Sequence, residues 1–203
     1  MPGRAAVAMW WHISGRVRAE WEDWHTHEHM PERLAIPGFL RGSRWAAVSG
    51  RPSYFVLYET KTLETLTRGA YLQRLNHPTP WSRRMMPHHR NMVRSLCRVR
   101  ARSGHGLGSV LATVRFSGAL PRVGKLVLQR GICGAQILDS LPESEIPRTA
   151  EQKLRSGDRT ADRVLLVFGY DAKAVAAAAK KLAPRTARIG VYRLGYSLSR
   201  ADA

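Results

Sequence analysis

The chain has 203 residues, 44% of them hydrophobic, and a formal net charge of +18 from 33 Lys and Arg against 15 Asp and Glu. That length admits one large domain or two of about 100 residues each, and the apolar fraction excludes a disordered chain. No run approaches the roughly 20 apolar residues that a membrane-spanning helix needs.

Ala5 to Ile13 is apolar and aromatic and predicts a first strand. It is too short, and too early interrupted by His12, to read as a signal peptide. Arg16 to Ala35 is long, charged and free of internal Gly, which predicts a helix. Pro31 lacks a backbone donor and should kink that helix or start a second one, and Pro37-Gly38 should end it. Phe39 to Ser49 and Tyr54 to Thr60 predict two strands around a turn at Gly50-Arg51-Pro52-Ser53. Leu63 to Leu75 predicts a second helix and Asn91 to Arg102 a fourth strand.

The order so far is β-α-β-β-α-β, the split βαβ pattern of a ferredoxin-like fold. Ser103 to Gly108 holds three glycines in six residues and reads as a linker. The order then repeats. Ser109–Phe116, Ile132–Asp139, Arg163–Tyr170 and Ala187–Leu198 predict strands. Leu120–Gln129 predicts a short helix, and Ala172–Leu182 a longer alanine-rich one with Asp171 as N-cap. Pro142 to Asp162 is polar and predicts a loop or a short helix near Ala150 to Leu154. The predicted class is therefore α+β, with tandem ferredoxin-like (βαββαβ) repeats over residues 1–103 and 104–203. Each sheet has one face free of its own helices. Two such faces meeting would form one barrel-like body and enclose a cavity between them.

The positive charge is spread evenly. Residues 1–103 carry 17 basic and 7 acidic groups, a net of +10, and residues 104–203 carry 16 and 8, a net of +8. Nucleic-acid binders more often concentrate charge in a stripe or tail, so solvated faces are the first reading. Cys97 and Cys133 lie in apolar runs without CxxC spacing and read as small buried residues of a reduced, cytoplasmic protein.

Residues 20–39 carry the densest local pattern: Trp24, Glu28-His29-Met30-Pro31, Arg33-Leu34 and Pro37-Gly38-Phe39, followed later by Pro78-Thr79-Pro80-Trp81-Ser82-Arg83-Arg84. This pattern resembles the EthD-like members of the dimeric α/β-barrel superfamily, over about residues 5–102, the first half only. Beyond residue 105 only the order of elements matches. Single-domain members pair as homodimers whose sheets form the barrel. The resemblance thus implies that the second half stands in for a partner subunit, in a monomer or a homodimer of whole chains. It also implies small-molecule chemistry: the superfamily includes cofactor-free monooxygenases, isomerases, lyases and haem enzymes. The haem branch takes its iron ligand from the C-terminal half, which here offers only His105, and that speaks against haem. No GxGxxG, Walker or CxxC pattern calls for a nucleotide or cluster, so no cofactor is expected.

Helical spacing sets His25 beside His29, with Trp21, Trp24 and Glu28 nearby, and turns His27 toward solvent. His29, with Glu28, is the catalytic candidate, since an imidazole titrates near neutrality and can shuttle a proton. The alternative is a structural hydrogen bond at a helix end. His25 and His29 could also hold Zn²⁺ with Glu28, His12 or His88, but nothing fixes a third ligand, and no metal is expected. All six Trp lie in the first 81 residues and seven of eight His at or before position 89. Either the first half lines a ligand cavity, or aromatics fill its core while Leu, Val and Ala fill the second. Trp24, His25, His12, Arg44, Tyr58 and Trp81 are the ligand-binding candidates. Alternation puts His12 with Trp10 on one face of strand one and Met9 with Trp11 on the other, leaving open which face meets the cavity.

Two functions follow. One is a protein for a small apolar or aromatic compound, with a His acid/base. The other is a non-catalytic module for RNA or another anionic partner, although no RNP1-like run is present.

Overall fold

The computed structural model describes residues 3–50, 52–155 and 158–202. Arg51, in the predicted turn, and residues 156–157, in the predicted 142–162 segment, lie outside them. Among the described residues the strands are β1 Ala5–His12, β2 Phe39–Ala47, β3 Tyr54–Thr60, β4 Arg90–Gly104, β5 Val110–Phe116, β6 Ile132–Ser140, β7 Arg163–Gly169 and β8 Arg188–Ser199. The helices are α1 Arg18–Trp24, α2 Met30–Leu34, α3 Glu64–Thr67, α4 Gly69–Asn76, α5 Pro80–Met85, α6 Ala150–Lys153 and α7 Ala172–Leu182.

The strands close into one barrel in the order β1-β3-β2-β8-β5-β7-β6-β4. The first four strands therefore run β4-β1-β3-β2 and the last four β8-β5-β7-β6, the same order twice. Every pair is antiparallel. Two seams join the sets: β2 against β8, from Arg41↔Ser199 to Ala47↔Tyr192, and β4 against β6, from Cys97↔Ser140 to Gly104↔Gly134. The tandem ferredoxin-like architecture is thus present, with the barrel completed inside one chain.

Alternation on β1 sends Ala6, Ala8 and Trp10 inward and Val7, Met9 and Trp11 outward, under the helices. The interior is not the expected cavity. It is filled by Trp10, Trp45, Phe55, Leu57, Phe168 and Tyr192, each buried. Eight strands enclose a space that side chains can just fill, and here large aromatics occupy the inward positions. The outward face of β1–β4 packs under α1, α2 and α4 in a second core built from Trp11, Trp21, Trp24, Met30, Phe39 and Tyr71. The outward face of β5–β8 packs under α7 in a third core of Val, Leu, Ile and Ala. The strand aromatics thus lie inside the barrel or under helices, which removes the stacking platform an RRM-type reading needs. No helix among the described residues is long and apolar enough to cross a membrane.

Local departures from expectation have local causes. Predicted helix two is split in two at Gly69, whose φ of +59° is readily available only to glycine. Predicted helix Leu120–Gln129 reduces to one 3₁₀ turn, Leu126–Leu128. Pro121 and Gly124 break its start. Helix α7 has its predicted bounds, and Asp171 Oδ1 accepts from the Lys173 and Ala174 amides at 2.8 and 3.0 Å. The Pro142–Asp162 segment contains α6 at the anticipated place.

Candidate functional site

The predicted first helix does not run straight. After Trp24 it opens into a π-helical turn, His25–His29, where the Met30 amide donates to the His25 carbonyl, and then continues as α2. Pro31 explains the turn: it has no N–H for the preceding turn, and its ring would strike the carbonyl four residues back. The wider turn keeps both His25 and His29 on the sheet side, 1% and 7% exposed, while His27 is exposed as expected. π-turns of this kind are frequent at functional sites.

The two imidazoles pack, tilted, against an aromatic row. His29 lies 4.5 Å from the Trp24 ring and 5.4 Å from His25, centroid to centroid, and His25 lies 5.1 Å from Trp21. A third imidazole, His89, joins them from the segment before β4, 4.8 Å from Trp11. Trp21 Nε1 donates to His89 Nε2 at 3.1 Å, so the His89 proton sits on Nδ1 and is donated to the Met86 carbonyl at 3.0 Å. Both its nitrogens are committed.

Beneath these rings lies a cavity of about 30 Å³, lined by Trp11, His25, His29, Arg33, Tyr58 and His89 on the first-half side. Thr149, Glu151, Gln152 and Arg155, on and beside α6, close it from the other half of the chain. It has room for about two waters. On the far side of α6 a cleft of about 690 Å³ shares Arg94, Thr149 and Gln152 with it, so α6 is the wall between the cavity and solvent. A buried ion pair holds that wall: Arg33 Nη2 donates to Glu151 Oε1, and the two residues are 2% and 3% exposed.

Five buried polar atoms around this cavity have no hydrogen-bond partner: Trp11 Nε1, His25 Nδ1, His29 Nδ1, Arg33 Nη1 and the Tyr58 hydroxyl. Buried polar groups are nearly always paired, and each one left unpaired costs about 1–3 kcal/mol. Burial holds the pKa values of His25 and His29 well below the usual imidazole value, and the Arg44 charge beside His25 and the Arg33 charge beside His29 act in the same direction. Burial brings His89 down to about 3. At neutral pH all three rings are uncharged, each with one donor and one acceptor nitrogen. Burial also raises the Tyr58 hydroxyl, keeping it a donor.

The other sequence candidates fall in three places. Trp24 and Tyr58 belong to this layer, with His25 and His29. Glu28 does not line the cavity. Its Oε1 accepts from Trp24 Nε1 at 3.0 Å and from Thr79 Oγ1 at 2.6 Å, which ties the π-turn to the start of α5. Arg44 spans the layer's edge, donating to the Glu22 carbonyl at 2.9 Å and Thr26 Oγ1 at 3.0 Å, and Trp81 packs outside, donating to Glu20 at 3.3 Å. His12 faces the other way, with Trp10, at the barrel's end, where its Nδ1 lies 2.6 Å from Ser53 Oγ. No group of three His, Cys, Asp or Glu among the described residues is placed to hold a metal ion. Sequence reading missed Trp11, Arg33, His89 and the α6 residues as lining groups. The readable sign of α6 was the Thr149-x-x-Gln152 spacing of a capping box, and Gln152 Oε1 does accept from the Thr149 amide at 3.0 Å.

No family model matches the sequence, and no curated protein matches it. Solved structures do match its shape. An anthrone oxidase-like protein is similar at 10% identity with a TM-score of 0.57, over 97% of this chain and 92% of the other. A candidate monooxygenase from Lactobacillus acidophilus is similar at 5% identity with a TM-score of 0.57, over 98% and 97%. Another, from Fusobacterium nucleatum, is similar at 7% identity with a TM-score of 0.54, over 98% and 96%. The chain has the ferredoxin-like dimeric α/β-barrel fold. At these identities the likeness is one of fold. It spans nearly the whole chain, so the dimeric α/β-barrel shape belongs to the second half as much as to the first.

Proposed function

We propose that the chain binds a small, largely aromatic molecule bearing a carbonyl or hydroxyl oxygen in the histidine cavity, and that His29 moves a proton on it without a cofactor. In this reading residues 1–103 are an EthD-like half that carries the site, and residues 104–203 supply scaffold and the α6 wall. The free thiols Cys97 and Cys133 fit a cytoplasmic protein.

The observation that carries the reading is the set of unpartnered donors converging on one cavity. The Trp11 indole N–H, the Arg33 guanidinium and the Tyr58 hydroxyl would bind an oxygen that gains negative charge when a neighbouring C–H is deprotonated. His29, neutral and 7% exposed, would take that proton. Its lowered pKa makes the imidazolium a strong acid, which returns the proton to the peroxide oxygen formed with dioxygen, and that proton leaves in the water released. Glu28 acts through Trp24, which its carboxylate orients against the His29 ring, and is a positioning residue. The aromatic walls suit a flat ligand. A ligand larger than water enters only when α6 swings away, opening the cavity into the neighbouring cleft.

The solved structures of this shape include an anthrone oxidase-like protein and candidate monooxygenases. Anthrone is therefore the first probe. Loss of a proton from its central CH₂ gives an enolate, and reaction with dioxygen yields anthraquinone and water. The test follows anthraquinone absorbance in air for the whole protein and for His29→Ala. The expected result is acceleration above background that falls at least about 100-fold in the variant. Turnover that survives the substitution removes His29 from the role. A protein that neither binds nor turns over anthrone or a panel of phenols and aryl ketones removes the reading.

A further inference from the structure

The barrel's end near His12 holds a second recess, on the opposite side of the β1–β4 sheet from the histidine cavity. Its volume is about 410 Å³, within the range of small-ligand sites. Three arginines line it: Arg115 at the end of β5, Arg188 at the start of β8, and Arg159 from the segment that follows α6. No Asp or Glu does.

The sequence sets these charges together against the local preference of the sheet. Arg115 and Arg188 are directly opposite partners in the β5–β8 ladder. Like charges at such a position destabilise the pair. The alternation that sends Leu111 and Thr113 into the barrel sends Arg115 the same way, and its guanidinium lies 5.1 Å above the Trp10 ring. Arg159 is fixed beside them by backbone bonds: its amide donates to the Met92 carbonyl and its carbonyl accepts from the Arg94 amide, at 3.1 and 2.8 Å. Three other buried or half-buried arginines are matched with carboxylates, Arg33 with Glu151, Arg41 with Glu59 and Arg155 with Asp158, whereas Arg44 and Arg94 donate to uncharged groups. Burial holds the Arg115 guanidinium below its ordinary range, and the Arg188 and Arg159 charges push the same way. Asp162 lines the adjoining groove with these arginines and accepts from Ser117 Oγ. Apolar wall comes from Val93, and the Tyr192 ring closes the floor.

We propose that this recess binds a small organic anion, a carboxylate or phosphate monoester on an apolar or aromatic body, with Arg115, Arg159 and Arg188 on the anionic group and Val93 and Tyr192 along the body. Guanidinium forks suit both anions, which offer paired oxygens. The anion offsets the repulsion between the arginines, so binding stabilises the folded chain.

The test uses the whole protein with phenyl phosphate, benzoate, phenol and a random RNA oligonucleotide as probes, read by calorimetric titration and by the melting temperature. Saturable binding of phenyl phosphate or benzoate, with phenol inert, is expected, and the stronger of the two names the anionic group. Arg188→Ala alters an exposed residue and should leave the melting temperature of the unliganded protein unchanged or higher. The same change should weaken the anion at least about tenfold, the loss of one charge-assisted contact, and Arg115→Gln should do likewise. Equal binding of phenol, anion binding undiminished in both variants, or binding confined to RNA oligonucleotides would each overturn the proposal.

Discussion

The two outer layers of the barrel rest on the same strand order and differ in almost everything else. Under α7, the β5–β8 sheet meets Val175, Ala178 and Ala179, small residues that let the helix lie close, and every member of that layer is apolar. Under α1 and α2, the β1–β4 sheet meets tryptophans, methionines and three uncharged imidazoles. Bulky rings hold the helices off the sheet and leave a polar gap between them. The difference teaches that the fold itself does not demand the cavity. One layer closes it with alanine, and the other keeps it and lines it with atoms that lack partners. A layer that forgoes pairing in this way is where function is to be sought.

Substitutions in each layer test that contrast. The largest effect should come from Glu151→Leu, which leaves the Arg33 charge buried and unmatched. Unfolding in urea should show a loss of about 3–5 kcal/mol, most of it recovered by Arg33→Met in the same chain. A slightly smaller loss, about 2–5 kcal/mol by the same measurement, is expected for Leu165→Ala in the alanine-sealed layer, where packing alone is at stake. A double variant whose loss equals the sum of its parts would deny the coupling across α6. Mild acid, above the carboxylate range, should act on the first layer. His25, His29 and His89 have folded pKa values below the unfolded value near 6.5, so between that value and the folded ones the unfolded chain binds more protons. Stability therefore falls as pH drops below about 6.5, with a slope of up to about 1.4 kcal/mol per pH unit for each histidine, and for His89 the fall continues to about 3. Urea titrations at several pH values on His89→Gln should show a shallower slope than the parent. An unchanged slope would mean that His89 takes up protons equally in the folded and unfolded chain.

Much of this was open to reading before any coordinates. Tyr54–Thr60 and Ala172–Leu182 have the bounds that their alternation and alanine content predict, and the clustering of Trp and His marks the layer that holds the cavity. The face of β1 could not be read, because Trp10 and Trp11 are both large and apolar and alternation fixes the phase without the direction. The meeting of two helix-free faces put the expected cavity inside the barrel, where inward aromatics instead fill the space. Glu151 and Arg155 were hidden for another reason. They stand over 100 residues from His25 and His29, in a polar stretch without periodicity, and only tertiary packing brings them over the imidazoles. Glu28 has the right spacing and the wrong commitments, since its carboxylate is taken by Trp24, Thr79 and Ser82.

The seams β2–β8 and β4–β6 carry a consequence for how such a chain can change. In an assembly of two identical subunits, two-fold symmetry copies every substitution into both sites, so neither can be altered alone. A single polypeptide is released from that rule. One lobe can lose its imidazoles and tighten, while a stretch grown between its second and third strands, α6, reaches across to roof the other.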